Sequence, residues 1–354
     1  MNRNGAKIVL ILFLCFLQFS NTASFAIDNA TLEGTSSRTL VSSATSHEGD
    51  IYVKSSETLS ILDCEFNETG TIYVQDDGTL EIENANVTFI RPFGSSTIDV
   101  LTVEDNGSAL IANSTISLIN NDIKHADYLT LSCYNRSQIT FESSTINLTA
   151  PAGIEAYDFS RLNVENSKLT HEEGFFWYGE ILAHGNSSLY LKNSTAYSLT
   201  LYDSSLASVT NSILNWLQTG IVLGKTAMNI SDSNIDTIAS WENGSCKYLV
   251  ENSFINSLDI GPGSTAYVRH TSGNQLNADA NSSTMLEACN FNNVFADGVV
   301  LVANWFFGLS LPWIPGVPFT WVLPIEIFVV LEVLAALIVL GFIVRKVRSK
   351  KIEA

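Results

Sequence analysis

Residues 80–87 read Leu80-Glu81-Ile82-Glu83-Asn84-Ala85-Asn86-Val87, and this pattern recurs along most of the chain. Apolar residues alternate with polar ones up to Ile82, which is the period of a β-strand and not of a helix. From Ile82 to Val87 the spacing is odd, so the chain must bend between them if both side chains are to be buried. Asn84 suits the bend because asparagine tolerates left-handed backbone geometry. The pattern therefore predicts two strands joined by a bend.

Copies of the pattern follow one another at intervals of 17 to 30 residues. The small residue that marks each copy falls at positions 64, 85, 114, 144, 167, 194, 212, 233, 253, near 272 and at 289. A third apolar segment follows the second strand, as in residues 128–131, and polar turns such as Asp76-Asp77-Gly78 close the units. This period is typical of stacked repeats that share one core. We predict three short strands per coil and about 11 coils.

With these strands and the asparagine-bearing bend, residues 45–298 resemble the pectate-lyase-like right-handed β-helix family. The resemblance implies an all-β fold, a right-handed single-stranded parallel β-helix. Residues 27–44, rich in Ser and Thr, are expected to lead into or cap the first coil. The resemblance implies little about activity, because one fold supports many functions.

Both ends of the chain predict membrane targeting. Residues 1–26 have the positive start, short apolar run and small residues before a cleavage point that define a signal peptide. Residues 325–344 are long enough to cross the hydrocarbon core as a helix. The basic tail 345–354 is then cytoplasmic by the positive-inside rule. We expect a plasma-membrane protein with a single span, its N-terminal region outside, and an aromatic, Pro-rich segment 299–324 at the membrane interface.

The charge of the chain excludes one class of partner. The sequence has 18 basic and 36 acidic residues, a net charge of −18. A nucleic-acid-binding protein needs a basic surface, so no nucleic acid is expected as a partner. The acidic excess lies in the predicted exterior segment, where surface glycans or other envelope proteins are the expected partners.

The cysteines and sequons follow from the repeat. Four cysteines lie beyond the signal peptide, but the coils separate them too widely for a bond, so we expect no disulfide. Among 12 Asn-x-Ser/Thr sequons, the bend is expected to enclose Asn113 and Asn193. The better acceptors lie in turns between coils: Asn106, Asn135, Asn186, Asn243 and Asn281. A repeat rich in Asn, Ser and Thr also generates sequons without any glycan.

The resemblance also implies which catalytic groups to seek. Polygalacturonases of this fold carry Asn-Thr-Asp, Asp-Asp, Gly-His-Gly and Arg-Ile-Lys signatures, and here only Asp76-Asp77 is present, inside a turn. Lyases need a basic residue beside clustered carboxylates, and no such set is found. No cofactor is expected. The acidic turns with Asp76, Asp77, Glu104 and Asp105 either bind Ca²⁺ through their oxygens or form a solvated acidic face.

Long intervals between positions 85 and 194 predict insertions after the second strand, over coils 2–6. The insertion at residues 171–178 places carboxylates beside aromatic rings, a combination that suits sugars. The weak catalytic candidates are His171, Glu172 and Glu173. The weak ligand-binding candidates are Phe93, Trp177 and Tyr178, although part of this run also fits a core strand.

Two functions remain open at this point. The first is a non-enzymatic surface protein acting in adhesion, envelope structure or glycan recognition. The second is a membrane-anchored polysaccharide lyase or glycoside hydrolase. The missing catalytic signatures favour the first.

Overall fold

A computed structural model describes residues 26–27, 37–41, 45–91, 99–120, 129–148, 152–171, 181–219, 225–240 and 245–303. These residues form strands and turns, and there is no helix among them. Nothing in this part of the chain is therefore a helix able to cross a bilayer. The predicted span 325–344, the basic tail and residues 1–25 of the predicted signal peptide lie outside the described residues.

The chain divides into two compact units, Met1–Tyr197 and Ser198–Ala354. The strands of the first unit, the last of which continues to Leu201, are β1 (Ala26–Ile27), β2 (Ser37–Val41), β3 (Thr45–Glu48), β4 (Ile51–Val53), β5 (Thr58–Leu62), β6 (Glu65–Thr69), β7 (Ile72–Val74), β8 (Thr79–Glu83), β9 (Asn86–Arg91), β10 (Asp99–Val103), β11 (Ser108–Ala112), β12 (Thr115–Asn120), β13 (Leu129–Cys133), β14 (Gln138–Glu142), β15 (Thr145–Leu148), β16 (Ala152–Ala156), β17 (Arg161–Glu165), β18 (Lys168–His171), β19 (Ile181–Ala183), β20 (Ser188–Lys192) and β21 (Thr195–Leu201).

Strands of the first unit pair in parallel with strands of the next coil, which makes a parallel β-helix with three ladders. The first ladder is β2-β5-β8-β11-β14-β17-β20. The second is β1-β3-β6-β9-β12-β15-β18-β21. The third is β4-β7-β10-β13-β16-β19. The predicted period of three strands per coil is confirmed here. Because β1 and β2 join these ladders, pairing begins before residue 45.

The second unit has longer strands and two ladders. Its strands are β22 (Leu206–Thr210), β23 (Ile213–Thr219), β24 (Lys225–Ser231), β25 (Asn234–Ser240), β26 (Ser245–Glu251), β27 (Phe254–Ile260), β28 (Thr265–Arg269), β29 (Ser272–Ala278), β30 (Ser283–Glu287), β31 (Asn290–Ala296) and β32 (Val299–Ala303). The even-numbered strands form one parallel ladder and the odd-numbered strands the other. Pairing extends to Ala303, beyond the predicted limit at residue 298.

The prediction of three strands per coil is wrong for the second unit. There the second and third segments of a coil form one seven-residue strand. In β25 the buried Ile235 and Ile238 are three residues apart, and the pairing with β27 passes from Ile235 directly to Thr237. Because β27 also skips one residue there, the register is kept, and both isoleucines are fully buried.

The predicted bend is present throughout, with left-handed backbone at the residue before each small residue. Asn84 has a φ of 53° and Asn166 a φ of 52°. The same geometry, with φ between 48° and 51°, holds at Asp63, Asn113, Ser143, Asn193, Asn211, Asn252, His270 and Ala288, and at Asp232 with 52°. Because His270 makes the bend, the degenerate copy is centred on Thr271 and not on residue 272.

Buried serines behind the bends connect successive coils. Ser144 Oγ accepts a hydrogen bond from the Ser114 N–H at 3.1 Å and donates one to the Glu142 carbonyl at 2.8 Å. Ser167 and Ser194 repeat the arrangement. Each hydroxyl thus satisfies a buried backbone group that the bend removes from the strand ladders. Apolar residues fill the rest of the interior, led by Phe66, Phe89 and Phe141.

Candidate functional site

The outward side of the third ladder in the first unit carries an unusual set of side chains. The inward residues of β10 and β13, such as Leu101 and Leu131, are apolar and buried. The outward residues are carboxylates and hydroxyls, and tyrosines flank them. We call this surface the polar face and define it by Asp99, Thr102, Thr130, Ser132, Tyr134, Glu155 and Tyr157.

Asp99 is the centre of the polar face. It starts β10, where an irregular register places it opposite Thr130 of β13. Its Oδ1 accepts hydrogen bonds from the hydroxyls of Thr130 and Ser132, the second at 2.8 Å. Its carbonyl oxygen accepts one from Thr71 Oγ1 at 2.7 Å. Three coils therefore hold one carboxylate in a fixed orientation.

Glu155 is the second carboxylate of the polar face, in register with Ser132. The Tyr157 hydroxyl donates a hydrogen bond to Glu155 Oε2. Burial raises the pKa of Glu155, and the negative charge of Asp99 raises it further, against the Tyr157 hydrogen bond, which lowers it. Two carboxylates with different environments thus act on each other electrostatically.

The tyrosines of the polar face remain hydrogen-bond donors at neutral pH. Burial, followed by the charge of Asp99, raises the pKa of Tyr134 to about 12. Burial also raises the pKa of Tyr157, and its bond to Glu155 adds to the effect. The ring of Tyr157 lies stacked between those of Tyr134 and His184, with centroid separations of 4.8 and 4.7 Å.

Several hydroxyls of the polar face are buried although they point away from the core. Thr130, Ser132 and Thr102 each expose 2% or less of their surface. Among the described residues, Thr102 Oγ1 has no hydrogen-bond partner. A buried unpaired hydroxyl costs about 1–3 kcal/mol.

A buried couple of two titratable residues, His47 and Glu68, lies near the start of the first unit. His47 and Glu68 are register partners on β3 and β6, and both point into the core, 2% and 0% exposed. His47 Nδ1 is 3.0 Å from Glu68 Oε2 and 3.1 Å from Oε1. Burial raises the pKa of Glu68 to about 8, helped by the charge of Asp50, and burial lowers the pKa of His47.

The predicted catalytic and ligand-binding candidates are not brought together by the described structure. Phe93, Glu172, Glu173, Trp177 and Tyr178 lie outside the described residues. For His171 only the backbone is described, at the end of β18. These candidates stay predictions.

The acidic turns are described in full. Asp76, Asp77 and Asp105 are exposed. Side-chain amides from neighbouring coils donate hydrogen bonds to two of the acids in these turns. Gln75 Nε2 donates to Glu104 Oε2 at 3.1 Å, and Asn135 Nδ2 to Asp105 Oδ1 at 3.2 Å. Within the described ranges, no three His, Cys, Asp or Glu side chains are grouped as metal ligands.

The sequons are more exposed than the bend suggested. Asn106, Asn135, Asn186 and Asn281 lie exposed in turns, whereas Asn243 is outside the described residues. The expectation that the bend encloses Asn113 and Asn193 is wrong, because left-handed geometry points both side chains outward.

The four described cysteines are free thiols. Cys64, Cys133 and Cys246 are buried, and Cys289 is half-buried. Burial raises the pKa of Cys133 to about 12 and that of Cys246 to about 11, so both are unreactive.

Sequence reasoning missed the polar face. Its residues come from strands far apart in the sequence, and Asp99 to Glu155 crosses two insertions of different length. One signal was present in the sequence. In the third segment, the apolar residues alternate with Thr130 and Ser132, whereas the outward residues of an exposed strand are ordinarily charged.

Comparison with known proteins gives a family and one distant structural neighbour. No curated protein matches the chain. The crystal structure of the periplasmic alginate epimerase AlgG is similar, with 13% sequence identity and a TM-score of 0.32, over 76% of this chain and 67% of that chain. The family model described as right-handed beta helix region matches residues 17–196, half of the sequence. Together with its parallel ladders and left-handed bends, this match means that the chain belongs to the right-handed β-helix family.

Proposed function

We propose that this protein is a membrane-anchored, extracellular β-helix that recognises glycans through the polar face of its first unit. The predicted signal peptide and span support display at the surface, with the C-terminus in the cytoplasm. Exposed sequons at Asn106, Asn135 and Asn186 support an exterior, glycosylated protein. Recognition and not catalysis is the leading function, because the family's polygalacturonase signatures are absent.

The observation that carries the proposal is the composition of the polar face. Sugars present hydroxyls in many directions and apolar ring faces, so their sites combine carboxylates with aromatic rings. Asp99 is held by Thr130 and Ser132, and its remaining oxygen can accept a sugar hydroxyl. The stacked rings of Tyr134 and Tyr157, with centroids 4.8 Å apart, supply the aromatic part of the polar face.

A second function is favoured by one specific observation, the pairing of Asp99 with Glu155. Glycoside hydrolases use one carboxyl group with a raised pKa as the acid and a second, ionised carboxylate. Burial raises the pKa of Glu155, and the charge of Asp99 raises it further, while hydroxyl groups hold the Asp99 carboxylate in place. In this alternative, Glu155 protonates the leaving oxygen and Asp99 acts as the second carboxylate.

The test uses the full chain in detergent micelles on a glycan array, beside Asp99→Asn and a control. The control is Glu65→Gln, which changes an exposed carboxylate on the second ladder. We expect a glycan ligand whose affinity falls about tenfold or more in Asp99→Asn and is unchanged in Glu65→Gln. Unchanged binding in Asp99→Asn would exclude the polar face.

The same preparation separates recognition from hydrolysis. Incubation with the bound glycan should release no reducing sugar if the function is recognition. Release that Glu155→Gln abolishes and Glu65→Gln preserves would establish the hydrolase instead. Loss of release in both variants would point to a damaged fold, which circular dichroism of each variant detects.

A further inference from the structure

The odd-numbered strands of the second unit present a different outward surface. Between the buried residues that are three apart, each strand turns one extra side chain outward. These are Asp236, Asn256, Asn274 and Asn292, at the same position of successive coils. We call this surface the amide face and define it by those four residues with Asp259, Gln275 and Asn277.

Hydrogen bonds join the amide face into a ladder. Asn256 Nδ2 donates to Asp236 Oδ1 at 2.9 Å, and Asn292 Nδ2 donates to Asn274 Oδ1 at 2.7 Å. Asn274 Nδ2 completes the series by donating to Asn256 Oδ1. A primary amide has two donors and two acceptor lone pairs, so each rung keeps groups for an external partner. The ladder holds them in fixed orientations, which reduces the entropy lost on binding.

A second row of amides runs beside the first. Gln275 Nε2 donates to Asn277 Oδ1 at 3.0 Å, and Asn277 Nδ2 donates to Asp259 Oδ1. The polar groups therefore repeat in two directions, along a strand and from coil to coil. Coils follow one another at about 4.8 Å, the spacing of paired strands.

Large aromatic side chains are exposed on the same surface. Phe254 precedes Asn256 by two residues on β27, and Phe295 is in register with Asn277. Trp216, 40% exposed, is in register with Thr237, next to Asp236. Exposed aromatic rings among hydrogen-bonding amides match the two faces of a sugar ring, one apolar and one rich in hydroxyls.

The charge of the amide face indicates which kind of polymer it can bind. None of the strands β23, β25, β27, β29 and β31 contains Lys or Arg. Their carboxylates at Asp236 and Asp259 accept hydrogen bonds from amides within the face. An anionic polymer would meet only negative and neutral groups, whereas a neutral polymer meets no repulsion.

We propose that the amide face binds a neutral, hydroxyl-rich polysaccharide chain, with Trp216 and Phe254 as aromatic platforms. This surface belongs to the second unit, and its ligand is independent of the glycan proposed for the polar face. Its proposed role is attachment to the polymer.

The experiment measures co-sedimentation of the full chain, in detergent micelles, with three insoluble neutral polymers: cellulose, chitin and xylan. Soluble alginate and polygalacturonate serve as anionic competitors. We expect binding to at least one neutral polymer, weakened about tenfold in Trp216→Ala and in Phe254→Ser, and no competition by the anionic polymers. Leu249→Ala is the matched control, because Leu249 is 39% exposed in the other ladder of the same unit.

The outcomes decide the proposal separately from that for the polar face. Absence of binding to all three neutral polymers would overturn it, as would binding that both aromatic variants retain or that polygalacturonate displaces. Asp99→Asn should leave sedimentation unchanged, and if it abolishes sedimentation, the polymer binds the polar face. Since the aromatic residues are exposed, all variants should keep the circular dichroism spectrum and thermal midpoint of the wild type. Asn274→Ala tests the amide ladder itself, without a change to an aromatic residue.

Discussion

The buried couple of His47 and Glu68 should make the stability of the protein fall between pH 6.5 and pH 8. The folded couple holds one proton at neutral pH, because burial disfavours both the glutamate anion and the imidazolium ion. The charge of Asp50 adds to the raised pKa of Glu68, while the backbone N–H groups of Thr69 and Gly70 oppose it.

The two groups change the free energy of unfolding with pH in opposite directions. Glu68 has its pKa raised from 4.5 to about 8, so its contribution is complete below pH 4.5 and is lost as the pH rises to 8. His47 has its pKa lowered from 6.5, so its contribution is complete above pH 6.5 and is lost as the pH falls. Between pH 4.5 and 6.5 the contributions of Glu68 and His47 oppose each other. Above pH 6.5 only Glu68 changes the stability. The free energy of unfolding then falls by about 1.4 kcal/mol per pH unit, or about 2 kcal/mol up to pH 8.

The assay is urea unfolding, followed by circular dichroism, at a series of pH values. Wild type is compared with Glu68→Gln, which keeps a hydrogen-bonding partner for His47 but does not titrate, and with Glu65→Gln on the exposed side of β6. We expect the extra loss of stability above pH 6.5 in wild type and Glu65→Gln, and its disappearance in Glu68→Gln. Equal slopes in all three proteins would refute the reasoning, whatever their absolute stabilities.

Two further predictions concern the coil-to-coil connections. Ser144→Ala should lower the free energy of unfolding by about 1–3 kcal/mol, because the buried Ser114 N–H loses its acceptor, whereas Ser56→Ala in an exposed turn should change it by less than about 0.5 kcal/mol in the same urea titration. Gly273→Ala should cost about 3 kcal/mol or more, since a Cβ there would lie 1.9 Å from the Ile255 carbonyl oxygen; a wild-type midpoint in this variant would disprove that close approach.

The repeat could be predicted from the sequence because the core imposes it locally. The odd spacing from Ile82 to Val87 requires a bend, and the left-handed φ of Asn84 provides it. The degenerate copy departs from the pattern because His270 stands where Asn or Asp is usual. The left-handed φ of His270, 49°, satisfies the physical requirement of the bend without matching the pattern.

The long strands of the second unit could have been predicted from their buried residues. Ile235 and Ile238, like Ile255 and Leu258, are three residues apart, and neither an even strand nor a bend of the first kind buries such a pair. The consequence of this spacing is an extra outward residue in each coil. The amide ladder is therefore a product of this three-residue spacing, and a pattern search that assumes an even strand period cannot find it.

The polar face escapes sequence analysis for a different physical reason. The inward positions of a β-helix must be apolar in every coil, so they repeat and can be recognised. The outward positions are free to vary, and their neighbours are set by the length of each coil. Asp99 meets Thr130 only because the intervening coil has 31 residues and a register shift. In the first unit, stability therefore depends on the inward residues that repeat. We expect Asp99→Asn to weaken binding while the coils stay folded, whereas Leu101→Ala should lower the free energy of unfolding by about 2–5 kcal/mol.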